Sequence, residues 1–462
     1  MTDPTNSLSR NPLNRLNGTD EMPSGTEHSD EAGSGTEAFS ESTPDVIALA
    51  PEVLAQSLGQ YLSAWWLRIK GGESGALPIL AGLVLIVVIF QVQNSHFLGP
   101  LNLVNLIGQS SFFILLGAAE MFALLLSEID LSVGFTAAVG GAVVAALIAP
   151  PYNWPWWAGV IVGVAASTAL GLFQGTLITR LHLPSFVVTL AGLLGFSGVL
   201  IWIFDIDRGA TGGVLSITNK VVYNLVNGNM TPLAGWIVLV VFVTLFAIVS
   251  IAQTQRRRSR GLSAPPLSIT ILKVVVTAAA GAVLVIVCNL NRGLLVPLRG
   301  VPWVVPFILA VILGWTVLLG RTRTGRYIYA IGASPEAARR AGINVAWIRT
   351  LAFGLSGLTA GLAGIAYESR LGSISVGFDG GTYVLYAVAA AVIGGTSLFG
   401  GRGKAIHPLI GGVVIGAVYN GLGLLGIGAA GTDISFALVL LAAVTVDSVV
   451  RQRGGAVGWF RS

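Results

Sequence analysis

The chain has 462 residues, of which 54% are hydrophobic and only 10% charged, with a mean hydropathy of +0.79. A soluble domain carries about 25% charge, so this composition excludes one and describes an integral membrane protein. The net charge of +5 does not indicate a nucleic-acid partner, because the basic residues lie between long apolar runs. The single cysteine, Cys288, excludes a disulfide framework and a thiolate metal site.

Residues 1–50 are rich in Ser, Thr, Gly, Asn and acidic side chains and nearly lack aromatics, so a disordered polar extension is expected. No apolar core suited to a cleavable signal peptide is visible there. Over residues 51–75, Leu54, Leu58, Tyr61, Leu62, Trp65 and Ile69 share one helical face, with Gln56, Gln60, Ser63 and Lys70 away from it. That pattern predicts an amphipathic helix in the headgroup region.

Residues 76–452 form the predicted transmembrane domain. Twelve apolar spans, each near the roughly 20 residues a bilayer needs, run close to 76–93, 102–126, 131–149, 156–178, 185–204, 233–252, 269–288, 302–319, 350–367, 383–399, 407–425 and 433–450. With the N-terminus inside, the outer segments receive only five of the 26 Lys and Arg residues: Arg208, Lys220, Arg292, Arg299 and Arg370. Such asymmetry predicts a cytoplasmic-membrane protein with both termini in the cytoplasm, including a short tail at 453–462. Trp154, Trp156 and Trp157 then mark an outer interface. Glycines such as Gly159, Gly163, Gly171, Gly412 and Gly416 suit close packing of helix backbones in lipid. The cluster Gly394, Gly395, Gly400, Gly401 and Gly403 instead breaks a helix at its cytoplasmic end.

The loop at 320–349 is the longest basic and polar stretch between spans. Within it Ser334 caps a helix, Pro335 suits the first helical position, and Glu336 answers the positive end of the dipole. Ala337, Ala338, Arg339 and Arg340 favour helix, and Gly342 offers a left-handed stop. A loop made basic only by topology would need no such caps. Caps at both ends specify a shape, which favours a docking element for a cytosolic partner.

Three carboxylates, Glu120, Glu128 and Asp130, lie in or beside apolar spans, where an unpaired charge costs several kcal/mol. At the inner surface they would only cap a helix start, as Asp130 before Leu131 and Ser132 would. If the connection reaches inward, they line a wet path or brace a broken helix. Asn420, within a span, either bonds across helices or touches a polar substrate. Asp447 reads as a structural or snorkelling residue.

Gly403-Lys404-Ala405 lacks both the upstream glycine and the hydroxyl of a phosphate-binding loop. The four histidines, at 28, 96, 182 and 407, have no metal spacing. No nucleophile–base set is legible either, so the expectation is a chain that is not an enzyme and binds no cofactor of its own.

Three ordered motifs resemble one family over about residues 77–450. Ile129-Asp130-Leu131-Ser132-Val133-Gly134 is similar to the IDLSVG signature of the membrane subunits of ribose/xylose-type sugar ABC importers. Thr324-Gly325-Arg326-Tyr327-Ile328-Tyr329-Ala330-Ile331-Gly332, with Glu336-Ala337-Ala338 and Ala341-Gly342-Ile343, resembles that family's TxxGRxxYAIGxNxxAAxxxGI loop. Ile393-Gly394-Gly395-Thr396-Ser397-Leu398-Phe399-Gly400-Gly401-Arg402-Gly403 and Asn420-Gly421-Leu422 match its late spans. Ser127-Glu128 replaces the usual glycine pair before the first motif, and Val384-Leu385-Tyr386 replaces a stretch that often holds a glutamate. Both departures, like the greater length, resemble the xylose-type subgroup.

The resemblance implies an all-α polytopic membrane protein of the type II ABC importer-like permease class. It would have a ten-helix core plus an inserted pair falling at about 253–300. It further implies a homodimer with the pathway between its copies, a separate ABC ATPase carrying ATP and Mg, and an extracytoplasmic sugar-binding protein. Gly325, Arg326, Ser334, Pro335, Glu336, Ala337, Ala338, Arg339 and Gly342 would form the ATPase-coupling surface. Glu120, Glu128, Asp130, Ser132 and Asn420 are the candidates for the translocation path. The cargo would be a monosaccharide such as xylose or a related pentose. Alternatives are an ABC permease for another sugar, a nucleoside or a branched-chain amino acid, and a secondary transporter relaying protons through the three carboxylates.

Overall fold

The computed structural model describes residues 77–439, apart from 207–209, 211, 262–265 and 294–295, together with Leu441 and Thr445. The expectations for residues 1–50, 51–75 and 453–462, and for Asp447, lie outside these residues.

Apolar helices dominate. In chain order they are α1 (Leu77–Gln93), α2 (Pro100–Leu125), α3 (Val133–Ile148), α4 (Trp156–Arg180) and α5 (Ser185–Ile206). A short strand β1 (Val214–Ser216) and helix α6 (Lys220–Asn227) precede α7 (Pro232–Ser259), α8 (Leu267–Asn289) and α9 (Val304–Arg321). Then come α10 (Arg323–Ala333), α11 (Pro335–Arg340), α12 (Val345–Leu371), β2 (Ser373–Ser375), α13 (Gly380–Ile393), α14 (His407–Leu424) and a last apolar helix, α15 (Ala429–Val439). Among the described residues, eight of these helices are long and apolar enough to cross a membrane, and four are shorter apolar helices. Each falls on one of the twelve expected spans.

Small residues place the core. α3 is buried on nearly every side, because its glycines and alanines let α4 and α12 approach its backbone. Gly163 of α4 lies on Val144 and Gly140, and Gly171 of α4 lies on the Phe353 carbonyl of α12. Gly412 and Gly416 of α14 seat against Ile114 and Ser110 of α2 in the same way. The hairpin α7–α8 instead shows Val240, Val241, Leu245, Val275, Val276 and Val283 outward. In water such a surface would aggregate, whereas in hydrocarbon it is the required one.

Loops sort into two groups, as alternate crossings demand. At one end Gly401 N–H donates to the Leu125 carbonyl at 3.0 Å and Ser127 Oγ donates to the Phe399 carbonyl at 2.8 Å. At the other, β1 and β2 pair antiparallel with Leu215 opposite Ile374, and Asn229 bridges to Pro302. Val226 N–H of α6 also donates to Ser369 Oγ of α12 at 3.0 Å.

Two boundaries differ from the sequence reading. The interval 253–300 holds one whole helix, α8, and only the end of α7, so the hairpin there spans 232–289. The span expected at 383–399 stops at Ile393, because Gly395, Gly400 and Gly401 take φ of +111°, +75° and +66°. Glycine reaches that region without a Cβ penalty.

Candidate translocation and coupling sites

α3 and α13 have 16 and 14 residues, too few to cross alone. Both begin inside the bundle, and their N-termini meet. A Cβ on Gly134 would overlap the Gly380 carbonyl, and one on Gly380 would stand 2.6 Å from the Phe135 ring. Aromatic rings surround the junction: Phe378 lies 6.3 Å from Phe135, 4.8 Å from Tyr367 and 4.9 Å from Tyr383. Helix N-termini meeting within a bundle are a feature on which transporters build substrate sites. Here a carboxylate attends each, since Asp379 caps α13 by accepting from Thr382 N–H at 3.1 Å and Asp130 accepts from Ser132 N–H at the foot of α3.

A buried polar knot adjoins α3's first turn. Asp130 Oδ1 accepts from Ser132 N–H at 3.0 Å and from Ser132 Oγ at 2.7 Å, and its Oδ2 accepts from Ser356 Oγ of α12 at 3.3 Å. Gln174 Nε2 of α4 donates to Ser132 Oγ at 2.7 Å, and Asp130 N–H donates to Glu120 Oε1 of α2 at 3.2 Å. Ser356 is eleven residues past Val345, about 16 Å along α12 at 1.5 Å per residue. The α2–α3 connection therefore reaches inward, and Glu120, Asp130 and Ser132 tie together four helices. Ser132, not Asp130, takes the N-cap position of α3. Asp130 holds that turn from outside by closing on Ser132.

Glu128, two residues before Asp130, pairs with the start of α12. Arg349 Nε donates to Glu128 Oε1 at 2.6 Å, and Arg349 Nη2 also meets that oxygen. Burial pushes the Glu128 carboxyl up from its ordinary range, and the Arg349 guanidinium pulls it back. Arg349, Gln174 and Ser356 were not singled out by the sequence reading. Gln174, amid apolar residues in a span, carried the signal of an intramembrane polar side chain.

α11 has the shape its sequence specifies. Ser334 Oγ accepts from Ala337 N–H at 3.2 Å, Pro335 opens the helix, and Gly342 takes φ +80°. Ala338 is buried and anchors it, while Glu336 and Arg339 stand 75% and 68% exposed, 3.7 Å apart. Asn344 then caps α12 by accepting from Trp347 N–H at 3.0 Å. Before α11, the stretch that reads as polar loop forms α10. Thr322 caps it by accepting from Gly325 N–H at 3.1 Å, Ile328 and Ile331 face inward, and Arg326 faces out. Gly332 leaves no room for a Cβ beside the Leu125 carbonyl. Tyr329 donates from its hydroxyl to the Gly403 carbonyl at 2.7 Å, and burial pushes that phenol up, keeping it a donor. So α10, the α2–α3 connection and the glycine loop after α13 form one contiguous surface under α11.

Asn420 is not part of this knot. Its amide exchanges hydrogen bonds with Asn102 at 2.7 and 2.9 Å and donates to Gln109 at 3.0 Å. Asn102 and Glu120 stand eighteen residues apart on α2, about 27 Å along its axis. These bonds clamp α14 to α2. Interhelical bonds in lipid average about 0.6 kcal/mol each, so Asn420→Leu should lower thermal stability by about 1–2 kcal/mol, measured by heat-induced aggregation of purified protein, and leave uptake by the surviving fraction unchanged.

Residues 102–446 match the family described as branched-chain amino acid transport system / permease component. The chain belongs to this family. The match takes in the knot, the α3–α13 junction and α11, and includes the α7–α8 hairpin. The permease is 32% identical over 394 residues to the xylose transport system permease protein of Escherichia coli K12, covering 83% of this chain and 96% of that one. It is 32% identical over 388 residues to the corresponding protein of Haemophilus influenzae, covering 84% and 99%. It is 30% identical over 373 residues to the ribose import permease protein of Escherichia coli K12, covering 80% and 92%. No solved structure matches the permease.

Proposed function

We propose that the permease forms the membrane path of an ATP-driven monosaccharide importer whose cargo is xylose or a related pentose. The similarity to xylose transport system permeases over more than four-fifths of the chain supports the cargo class. One structural observation supports the mode of action: α11 is a pre-shaped, exposed helix, and α12, which follows it after four residues, carries in its first turns the Arg349 that pairs with Glu128.

In this reading a partner ABC ATPase hydrolyses ATP and grips α11. An extracytoplasmic binding protein delivers sugar at the other end, and two copies of the chain enclose the path. Motion of α11 passes through Asn344 and Arg349 to Glu128, and from there to Asp130 at the foot of α3. The α3–α13 junction is the waist of the path, where ring faces and helix N-termini meet. Access alternates as the two sides of that waist open in turn. The segments assigned to α11's side of the membrane together carry most of the Lys and Arg residues, which supports a cytoplasmic face for them and for both termini.

Uptake of labelled pentose by reconstituted vesicles tests the proposal. Accumulation is expected only with the partner ATPase, binding protein and ATP together. Uptake that persists without ATPase and collapses with the proton gradient would establish the secondary-transporter alternative instead.

A further inference from the structure

Glu368 is a carboxylate that none of the contacts above employs. It lies in the last turn of α12, wholly buried, and neither Oε1 nor Oε2 has a hydrogen-bond partner among the described residues. Helical spacing places it on the stripe of Gly357, Gly361 and Gly364, which faces α3 and α4. Opposite is Gly141 of α3. A Cβ there would stand 3.3 Å from Glu368 Oε2 and 3.1 Å from the Gly364 carbonyl oxygen, so the carboxyl is shut against backbone.

Glycines are what a close helix seam needs. A carboxyl at its end is not. Ionised, it costs several kcal/mol without a donor, and an apolar side chain of like volume would fill the place without that penalty. A group disfavoured in one conformation is accounted for by a state in which it finds donors. Two carboxylate oxygens accept adjacent hydroxyls well, and hydroxyls are what a pentose offers. Tyr367, next along α12, belongs to the ring cluster at the α3–α13 junction.

We propose that Glu368 binds sugar hydroxyls within the translocation path, concealed in this conformation and uncovered when α3 and α12 part along their glycine seam. This rests on the sugar-importer reading.

The test compares Glu368→Met and Glu368→Gln with the unmodified permease, each reconstituted with its ATPase and binding protein. Glu368→Met should melt a few degrees higher yet lose about tenfold or more in pentose uptake, while Glu368→Gln, which keeps an acceptor oxygen, retains most of it. Full uptake by Glu368→Met overturns the proposal. A lower melting temperature does so too, since the carboxyl would then be a structural group. Water-soluble carbodiimide, read by peptide mass spectrometry, should modify Glu368 during ATP turnover and not at rest. No modification under turnover overturns the proposal as well. If the unmodified complex moves no pentose, the importer reading fails, and the labelling arm alone decides whether the seam opens.

Discussion

Gly364→Ala is expected to cost the permease about 3 kcal/mol, the top of the usual range for overpacking a filled core. The methyl group added to α12 would overlap the Ala137 carbonyl of α3, with the Gly141 nitrogen 3.1 Å away. These atoms are all backbone of α3, so no side chain can swing clear and a helix must shift. That shift would propagate, because α3 is also held by Gly163 and α12 by Gly171, each against backbone. The same substitution has the opposite sign on α5. Gly195 is exposed and a Cβ there meets nothing within 4 Å, so Gly195→Ala should gain up to about 1 kcal/mol from helix propensity alone. The check is the yield of monodisperse protein and its thermal unfolding for both variants. Equal stability of the two would show that the α3–α12 seam is looser than its geometry.

The contrast also shows what could be read before the structure. The spans were legible because a bilayer demands runs of apolar residues, and each run declares itself locally. α11 was legible for a related reason: Ser334, Pro335 and Gly342 specify its ends within nine residues. α10 was hidden, since its apolar face consists of little more than Ile328 and Ile331 between arginines. The site was less legible still. Asp130 and Glu120 stood out as charges among apolar residues, but whether their connection lay at the surface or reached inward depends on Ser356, 226 residues away. The pairing of Glu128 with Arg349 spans 221 residues, and one arginine in a basic loop looks like any other. Gly134 was read only as the end of a motif, and Gly380 was not singled out. Only the fold reveals that they bring two helix starts together.

The lever from α11 to the knot leads to the second large effect. Arg349→Leu should leave ATPase binding intact, since Arg349 lies beyond the exposed face of α11 and is itself only partly exposed. It removes the guanidinium that holds Glu128, whose side chain is 8% exposed. Hydrogen bonds to charged groups are worth about 1.5–3 kcal/mol, and since every 1.4 kcal/mol is tenfold, losing that link should lower uptake by about tenfold or more. Hydrolysis by the reconstituted complex should continue, now uncoupled from transport. Glu336→Lys and Gly342→Val should fail differently. The first reverses charge on the exposed face of α11, and the second forces a β-branched residue to φ +80°, where an L side chain is strained. Both should lose the ATPase on co-purification, with hydrolysis falling along with uptake. The reciprocal exchange Glu128→Arg with Arg349→Glu should recover part of the coupling, as it restores the pair in reverse. If Arg349→Leu transports normally, the ion pair is only a clamp, and force from α11 must reach the bundle through α12 alone.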